Sequence, residues 1–422
     1  MVKRHRADKP SKVKRVFKVI GIVLLITILT IASVTLVSNL ISNNLRNKYV
    51  ATFDKVVYEN QLAPTLEDDG YYTFTTDNDF KVLQLTDIHI GGGAMSTKKD
   101  KMALNAVAAM ITYEKPDLVI VTGDLAYPVP YSAGTFNNLS SSKSFANLME
   151  TLGVYWTISF GNHDTEAYSY YNRKELSEFY SKDEFKYCLF TRGPSDIDGF
   201  GNQIFKVKNT KGVITQALYV FDSHSYTDGD YFGIFWKYDK IKQSQIDWYK
   251  TNVLSMDAYN ATKTDDVNMR KVKSLAFFHI PLEEYKVAWY AYRDNGYKDT
   301  ADVKYISGEA GENPEKDVVY CSSKENLLFE TMHELESTKG IFVGHDHLNN
   351  FSIMYKGIQL SYGNSIDYLA YSKIKNYGVQ RGCNVIVTKT DGSFTSKTEN
   401  YYQEKYKSKY EKEAVTMDKY YK

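Results

Sequence analysis

Five short stretches of this 422-residue chain end in side chains able to hold a cation: Asp87-Ile-His89, Gly123-Asp124, Gly161-Asn162-His163-Asp164, His279 before Ile280-Pro281, and Gly344-His345-Asp346-His347. Five of the eight histidines of the chain fall in them. Imidazole nitrogens with carboxylate and amide oxygens, and no thiolate among them, suit Mn, Fe, Zn or a similar divalent ion and argue against a closed structural zinc site. If the strand pleat continues through them, Asp87 and His89 point the same way, as do His345 and His347. The glycines at 123, 161 and 344 keep side-chain bulk away from such a centre. Each piece is weak alone, since Asp222-Ser223-His224 repeats the Asp-x-His form after another apolar run. The five together, each following an apolar stretch, carry the signal.

The elements that must position them are short. KVLQLT at 81–86, a helix over 98–114 with apolar Met102, Val107, Met110 and Ile111, and DLVIVT at 117–122 predict a strand–helix–strand unit. Further apolar runs at 154–160, 217–222, 274–278, 340–343, 357–361 and 384–388 are too short for typical helices. An α/β architecture follows, with a site built beyond the carboxyl ends of strands. Residues 283–323 form a polar insertion able to shape a cleft, and the chain after Glu399 reads as a solvated Lys/Tyr-rich tail. The aromatics over 226–236 and 285–297 fit either a lipid-, sugar- or base-contacting wall or core and loop-anchoring positions, and His224 fits an exposed loop position or a substrate contact. The glycine run 91–93 is given no role.

Composition narrows the classes. A hydrophobic content of 43% is enough for a large core. The formal charge of +1 balances a basic leader, eight Lys/Arg against Asp8 alone in residues 1–18, against a net acidic body. An acidic body is a poor phosphate-backbone binder, so nucleic acid is not an expected partner. Cys188, Cys321 and Cys383 permit at most one internal bridge.

The order D-x-H, G-D, G-N-H-D, H, G-H-x-H resembles that of the calcineurin-like metallophosphoesterases across residues 81–390. LQLTDIH, KPDLVIVTGD, SQIDWY, FHIPLEEY and GHDHLNNF look like the fungal and plant proteins related to purple acid phosphatases. The resemblance implies a four-layer α-β-β-α sandwich, two mixed sheets flanked by helices. It implies two divalent metal ions (Mn, Fe or Zn), one held by Asp87, His89, Asp124 and His347, the other by Asp124, Asn162, His279 and His345, with Asp124 bridging. His163 would face the phosphoryl group, and Asp164 would orient it. In purple acid phosphatases proper a Tyr three residues after the bridging Asp ligates iron and the His of D-x-H is missing. This chain has both His89 and Tyr127, so Tyr127 is expected to pack beside the centre and no purple colour is expected. The activity implied is hydrolysis of a phosphomonoester or phosphodiester by metal-bound hydroxide. Neither a G-x-S-x-G elbow nor a Walker-type loop offers a rival chemistry. The competing class is a catalytically silent surface-binding protein that keeps the metal fold.

Val19 to Ile41 holds 23 residues without a charge, long enough as a helix to cross a bilayer. It follows a basic flank and lacks a firm small-x-small cleavage site, so an uncleaved signal anchor is favoured over a cleaved signal peptide. Positive charge stays cytoplasmic, which makes the body extracytoplasmic on a cell membrane. The expected order is a basic cytoplasmic tail (1–18), a transmembrane anchor (19–41), a stalk and first strand (42–75), the metallophosphoesterase domain (76–398) and a C-terminal tail (399–422).

Overall fold

A computed structural model describes residues 12–227, 235, 237–311, 317–322, 326–371, 374, 381–409 and 412–415. Most of the basic leader, the end of the tail and the aromatics at 228–234 and 236 lie outside the described residues.

The described residues open with α1 (Lys12–Val50), whose apolar part is long enough to cross a membrane and is not covered by the other described residues. The helix does not stop where the apolar run does. Residues 42–50, expected as a stalk, continue it and turn Ser42, Arg46 and Val50 inward at helical spacing. These side chains pack between two later helices.

From there the chain runs through β1 (Thr65–Leu66), β2 (Tyr72–Thr75), β3 (Phe80–Leu85), α2 (Thr97–Glu114), β4 (Leu118–Thr122), α3 (Pro130–Ala133), α4 (Asn138–Leu152), β5 (Trp156–Ser159) and α5 (Arg173–Tyr180). It continues with β6 (Gln203–Lys208), β7 (Ile214–Val220), α6 (Gln243–Ala261), α7 (Val267–Arg270), β8 (Ser274–Phe277), α8 (Glu283–Asp294), β9 (Val303–Ser307) and α9 (Leu328–Leu335). The last strands are β10 (Thr338–Val343), β11 (Ser352–Tyr355), β12 (Ile358–Tyr362), β13 (Gly382–Thr388) and β14 (Phe394–Asn400). Local chemistry sets several ends. α2 closes on Lys115 in the left-handed region just before Pro116, and α4 is capped by Asn137 at its start and by Gly153 at its end.

Among the described residues the strands form two mixed sheets. One has the order β14-β13-β3-β4-β5; the other runs β1-β2-β6-β7-β8-β10-β12-β11-β9. In each, the strands that carry the site are parallel: β3, β4 and β5 in the first, and β8, β10 and β12 in the second. Three apolar layers hold the stack together. Phe74, Phe80, Ile120, Phe205, Phe277 and Phe342 fill the space between the sheets. Leu104, Val107, Phe145 and Leu152 cover the first sheet with α2 and α4. Ile246, Tyr249, Tyr285 and Trp289 cover the second with α6 and α8. The result is the α-β-β-α sandwich.

Three segments depart from the sequence reading. The insertion after Glu283, read as polar, forms α8 and β9, and of the two readings of its aromatics Tyr285 and Trp289 take the core one. The tail beyond Glu399 leaves the end of β14 and then packs, with Tyr401 and Tyr406 buried and the Tyr406 hydroxyl donating to Glu114 Oε1 at 2.7 Å. The glycine run becomes a socket: the guanidinium of Arg46 donates to the carbonyls of Gly92 and Gly93, and Asp100 accepts the N–H groups of Gly91 and Gly92.

Candidate metal centre

Each ligand stretch begins within three residues of the carboxyl end of a parallel strand. Asp87 and His89 follow β3, Asp124 follows β4, Asn162 follows β5, His279 follows β8, and His345 and His347 follow β10. The first four come from one sheet and the last three from the other, so the centre spans the top of the sandwich. Beneath it Gln84 of β3 crosses between the sheets, donating to Val343 O at 3.0 Å and to Thr122 Oγ1 at 2.9 Å.

The pleat does not persist past the strands. Asp87, His89 and Asp124 sit at φ of 49°, 50° and 51°, and His345 at 79°. Left-handed backbone at non-glycine residues costs free energy and is kept where the surroundings over-determine it. Here it turns successive side chains inward from the strand tops. The glycines act through space: a Cβ on Gly161 would strike the Asp124 carboxylate, and one on Gly123 would come within 2.6 Å of the His279 ring.

The side chains converge as two groups sharing Asp124. Asp87, His89, Asp124 and His347 form one, and Asp124, His279 and His345 the other, each offering donor atoms within 4.8 Å of one another. Asp124 Oδ2 lies 3.4 Å from His89 Nε2 and 3.2 Å from His279 Nε2. His279 Nδ1 donates to Thr122 O at 2.8 Å, which leaves its Nε2 lone pair facing inward. That lone pair meets Asn162 Oδ1 at 3.2 Å and His345 Nδ1 at 3.3 Å. His347 Nε2 stands 3.7 Å from Asp87 Oδ1. Acceptor atoms so crowded repel one another unless a cation lies between them, so the residues fit a pair of divalent ions in charge and donor type.

The electrostatics of the protein alone point the same way. Burial pulls the His279 imidazole down, but the Asp124 carboxylate outweighs it and carries the group up to about 9. Burial raises Asp87 to about 6 against the attraction of His279. Asp124 is pushed up by burial, yet the imidazoles of His279 and His163 hold it well below the carboxylate range. The site demands positive charge.

Around this set stand residues that the motifs did not single out. Asp367 is fully buried, with Oδ1 3.5 Å from His89 Nδ1 and Oδ2 3.9 Å from His347 Nδ1, on the outward nitrogens of both rings. It lies five residues beyond the end of β12, further from its strand than the ligand positions are from theirs. Glu166 Oε1 meets His163 Nδ1 at 2.7 Å and also accepts from the Tyr226 hydroxyl at 3.2 Å. Its spacing of three from His163 was the available signal. Asp164, expected to orient His163, instead accepts the backbone N–H groups of Asp124 (3.0 Å), Gly161 (2.8 Å) and Ala126 (2.8 Å), tying two ligand loops together. The place beside the His163 ring is taken by Glu166.

Tyr127 packs edge-on at 5.1 Å from both His89 and His163 and belongs to neither group of donors. The Asp222/His224 pair lies apart from them: Asp222 is ion-paired with Arg173, and His224 Nε2 bonds to Gln245 Oε1 at 3.0 Å. Asp346 turns away to accept from the Tyr362 hydroxyl at 2.6 Å. The centre opens to solvent beside His163 and His347, whose side chains are 27% and 15% exposed while Asp87, His89, Asp124 and His279 are at most 1% exposed.

The calcineurin-like phosphoesterase family model matches residues 80–349. The chain belongs to that family. As a calcineurin-like phosphoesterase it is 29% identical over 328 residues to probable inactive purple acid phosphatase 28 of Arabidopsis thaliana, covering 71% of this chain and 73% of that protein. It is 31% identical over 236 residues to phosphatase DCR2 of Saccharomyces cerevisiae, covering 50% of this chain and 36% of the yeast protein. Among solved structures, a dimetal phosphatase from Danio rerio superposes with a TM-score of 0.49 at 10% identity, over 78% of this chain and 98% of that one.

Proposed function

We propose that this calcineurin-like phosphoesterase is a membrane-anchored, extracytoplasmic hydrolase of phosphomonoesters or phosphodiesters. The observation that supports it best is the pair of donor groups meeting at Asp124, with every ligand position of the motif set filled. Asp87, His89, Asp124 and His347 would hold one divalent ion and Asp124, Asn162, His279 and His345 the other. Bound there, two cations supply an activated water and neutralise phosphoryl charge during in-line attack. The protein's own part is positional. The buried carboxylates and outward-bonded imidazoles fix the ions, and His163, on the open side, reaches toward the phosphoryl group. Glu166 holds the His163 ring so that it can donate a proton to the leaving oxygen. Asp164 keeps the 124 and 161 loops in register.

The apolar part of α1 supports the anchor, and its basic leader supports a cytoplasmic N-terminus. A second reading, a silent binding protein, is favoured by the word inactive in the names of three plant relatives. Turnover of an aryl phosphate and an aryl phosphodiester by the full chain, with and without added Mn, separates the two. Metal-dependent turnover of either supports the hydrolase, and a metal-loaded protein inert toward both overturns it.

A further inference from the structure

The place where α1 leaves the body coincides with the end of its membrane-length apolar stretch. Every described residue of α1 up to Val37 is exposed, and burial begins at Ser38 and Asn39. Asn39 Nδ2 donates to Gly134 O at 3.1 Å, and its Oδ1 accepts the N–H of Ala94 at 2.8 Å. A hydrocarbon core of about 30 Å takes about 20 helical residues at about 1.5 Å each. Counted from Val19, where the basic flank ends, that core closes near Ser38, so the loops at Ala94 and Gly134 stand at headgroup depth.

Those loops and the neighbouring 166–172 segment carry large side chains that face solvent. Met95 is 65% exposed, Tyr131 78% and Tyr170 65%, with Phe136 at 39% between them. They form one patch: Met95 lies over Gly134, and Phe136 packs against Tyr170 at 6.0 Å between ring centroids. Segments 89–99 and 125–149 contain no Asp or Glu; around Tyr170, Asp164 and Glu166 are buried and the exposed Glu175 accepts the N–H of Asn172. Lys98 and Lys99 stand on the first turn of α2. Asp100 beside them is buried on Arg46 and presents no charge outward. Exposed aromatics with adjacent cations match a bilayer interface. The patch also borders the open side of the metal centre. The Tyr131 hydroxyl interacts with that of Tyr127, whose ring packs on His89 and His163.

We propose that this face is a docking surface for the outer leaflet of the bilayer that α1 spans, and that the phosphoesters reaching the centre are carried by lipids. The proposal rests on the anchor and hydrolase readings above. It requires no co-reactant beyond water: a lipid phosphomonoester plus water gives the lipid alcohol and inorganic phosphate.

The test uses the full chain reconstituted into vesicles of phosphatidylcholine with a minor share of phosphatidylglycerol. A fluorophore is attached, in a Cys321→Ser background, at Met95→Cys, Tyr170→Cys or Val267→Cys. Val267 is 69% exposed at the end of the sandwich where β7 and β8 begin. Nitroxide-bearing lipids should quench the labels at 95 and 170 several-fold more than the label at 267, and equal quenching at all three overturns the surface. Alkaline carbonate extraction of the same vesicles reports the anchor separately. Protein released by carbonate overturns the anchor and the proposal with it, whereas retained protein with unquenched labels overturns the proposal alone. The double variant Met95→Asp/Tyr170→Asp should release phosphate from vesicular phosphatidic acid about ten-fold more slowly, with turnover of a soluble aryl phosphate unchanged. Equal rates on the lipid, or a wild type that cleaves only the soluble ester, overturn the lipid assignment. A wild type inert toward both esters counts against the hydrolase reading, while the quenching still judges the surface.

Discussion

Oε1 of Glu166 lies 2.7 Å from Nδ1 of His163, and the carboxylate is almost fully buried while the ring it holds faces the opening of the centre. A buried carboxylate on one imidazole nitrogen fixes both the tautomer and the direction of the other nitrogen. Removing His163 with Ala should lower kcat by about 10²–10⁴-fold if the ring serves as proton donor. Glu166→Gln should lower it by about ten-fold, with both metals still bound, because the amide keeps the contact and loses the charge. Steady-state turnover alongside metal content by mass spectrometry checks this; a Glu166→Gln protein as active as wild type rejects the positioning role.

Asp367 stands behind the outer nitrogens of His89 and His347 at 3.5 and 3.9 Å as a buried negative charge, and it accepts the backbone N–H groups of Leu369, Ala370 and Tyr371. Partners on the outer nitrogen of a ligating histidine commonly contribute about 10–100-fold to metal affinity. Asp367→Asn is therefore expected to weaken Mn binding by about that factor, read by isothermal titration, with the fold intact by circular dichroism. An unchanged dissociation constant would remove Asp367 from the account.

Arg46 docks the end of α1 onto the loop that follows His89. Its Nη1 donates to Asp100 Oδ2 at 3.2 Å, to Ser42 Oγ at 2.7 Å and to Gly93 O at 2.9 Å, all of them buried. Breaking a buried pair from one side strands the other charge, at a cost of about 3–5 kcal/mol. Arg46→Met should lower the thermal midpoint of the detergent-solubilised chain, and adding Asp100→Asn should recover part of the loss. A double variant no better than the single one would show that the pair is not coupled.

Glu67 provides a test of acid sensitivity away from the centre. Burial raises its carboxyl, but the ammonium groups of Lys206 (2.5 Å) and Lys208 (2.6 Å) prevail and bring it down from 4.5 to about 2. A carboxyl with a depressed folded value stabilises fully above its unfolded value and loses that contribution as pH falls toward the folded one. At neutral pH Glu67→Gln should cost about 1 kcal/mol once solvent screening of this partly exposed cluster is allowed for. The gap between wild type and variant should then close between pH 4.5 and 2, as followed by urea melts. A gap that is constant with pH contradicts the ion-pair origin.

The sequence by itself determined which side chains could hold a cation and which strands deliver them. Asp87, Asp124, His279 and His345 could be named because ligation needs particular atoms and short apolar runs announce strand ends; the helix read at 98–114 is α2 at Thr97–Glu114. It was blind to β14 and β9, whose polar, half-exposed residues lack the alternation of a buried strand. The tertiary structure decided what depended on distance. It set Asp367 behind rings 278 and 20 residues away in the chain, placed Glu166 on His163, and left Asp164 on backbone amides. It also carried α1 on into the body. Ligand identity is written in residue type, whereas the partner of a ligand is chosen by which loop packs closest, and that is settled only when two sheets meet.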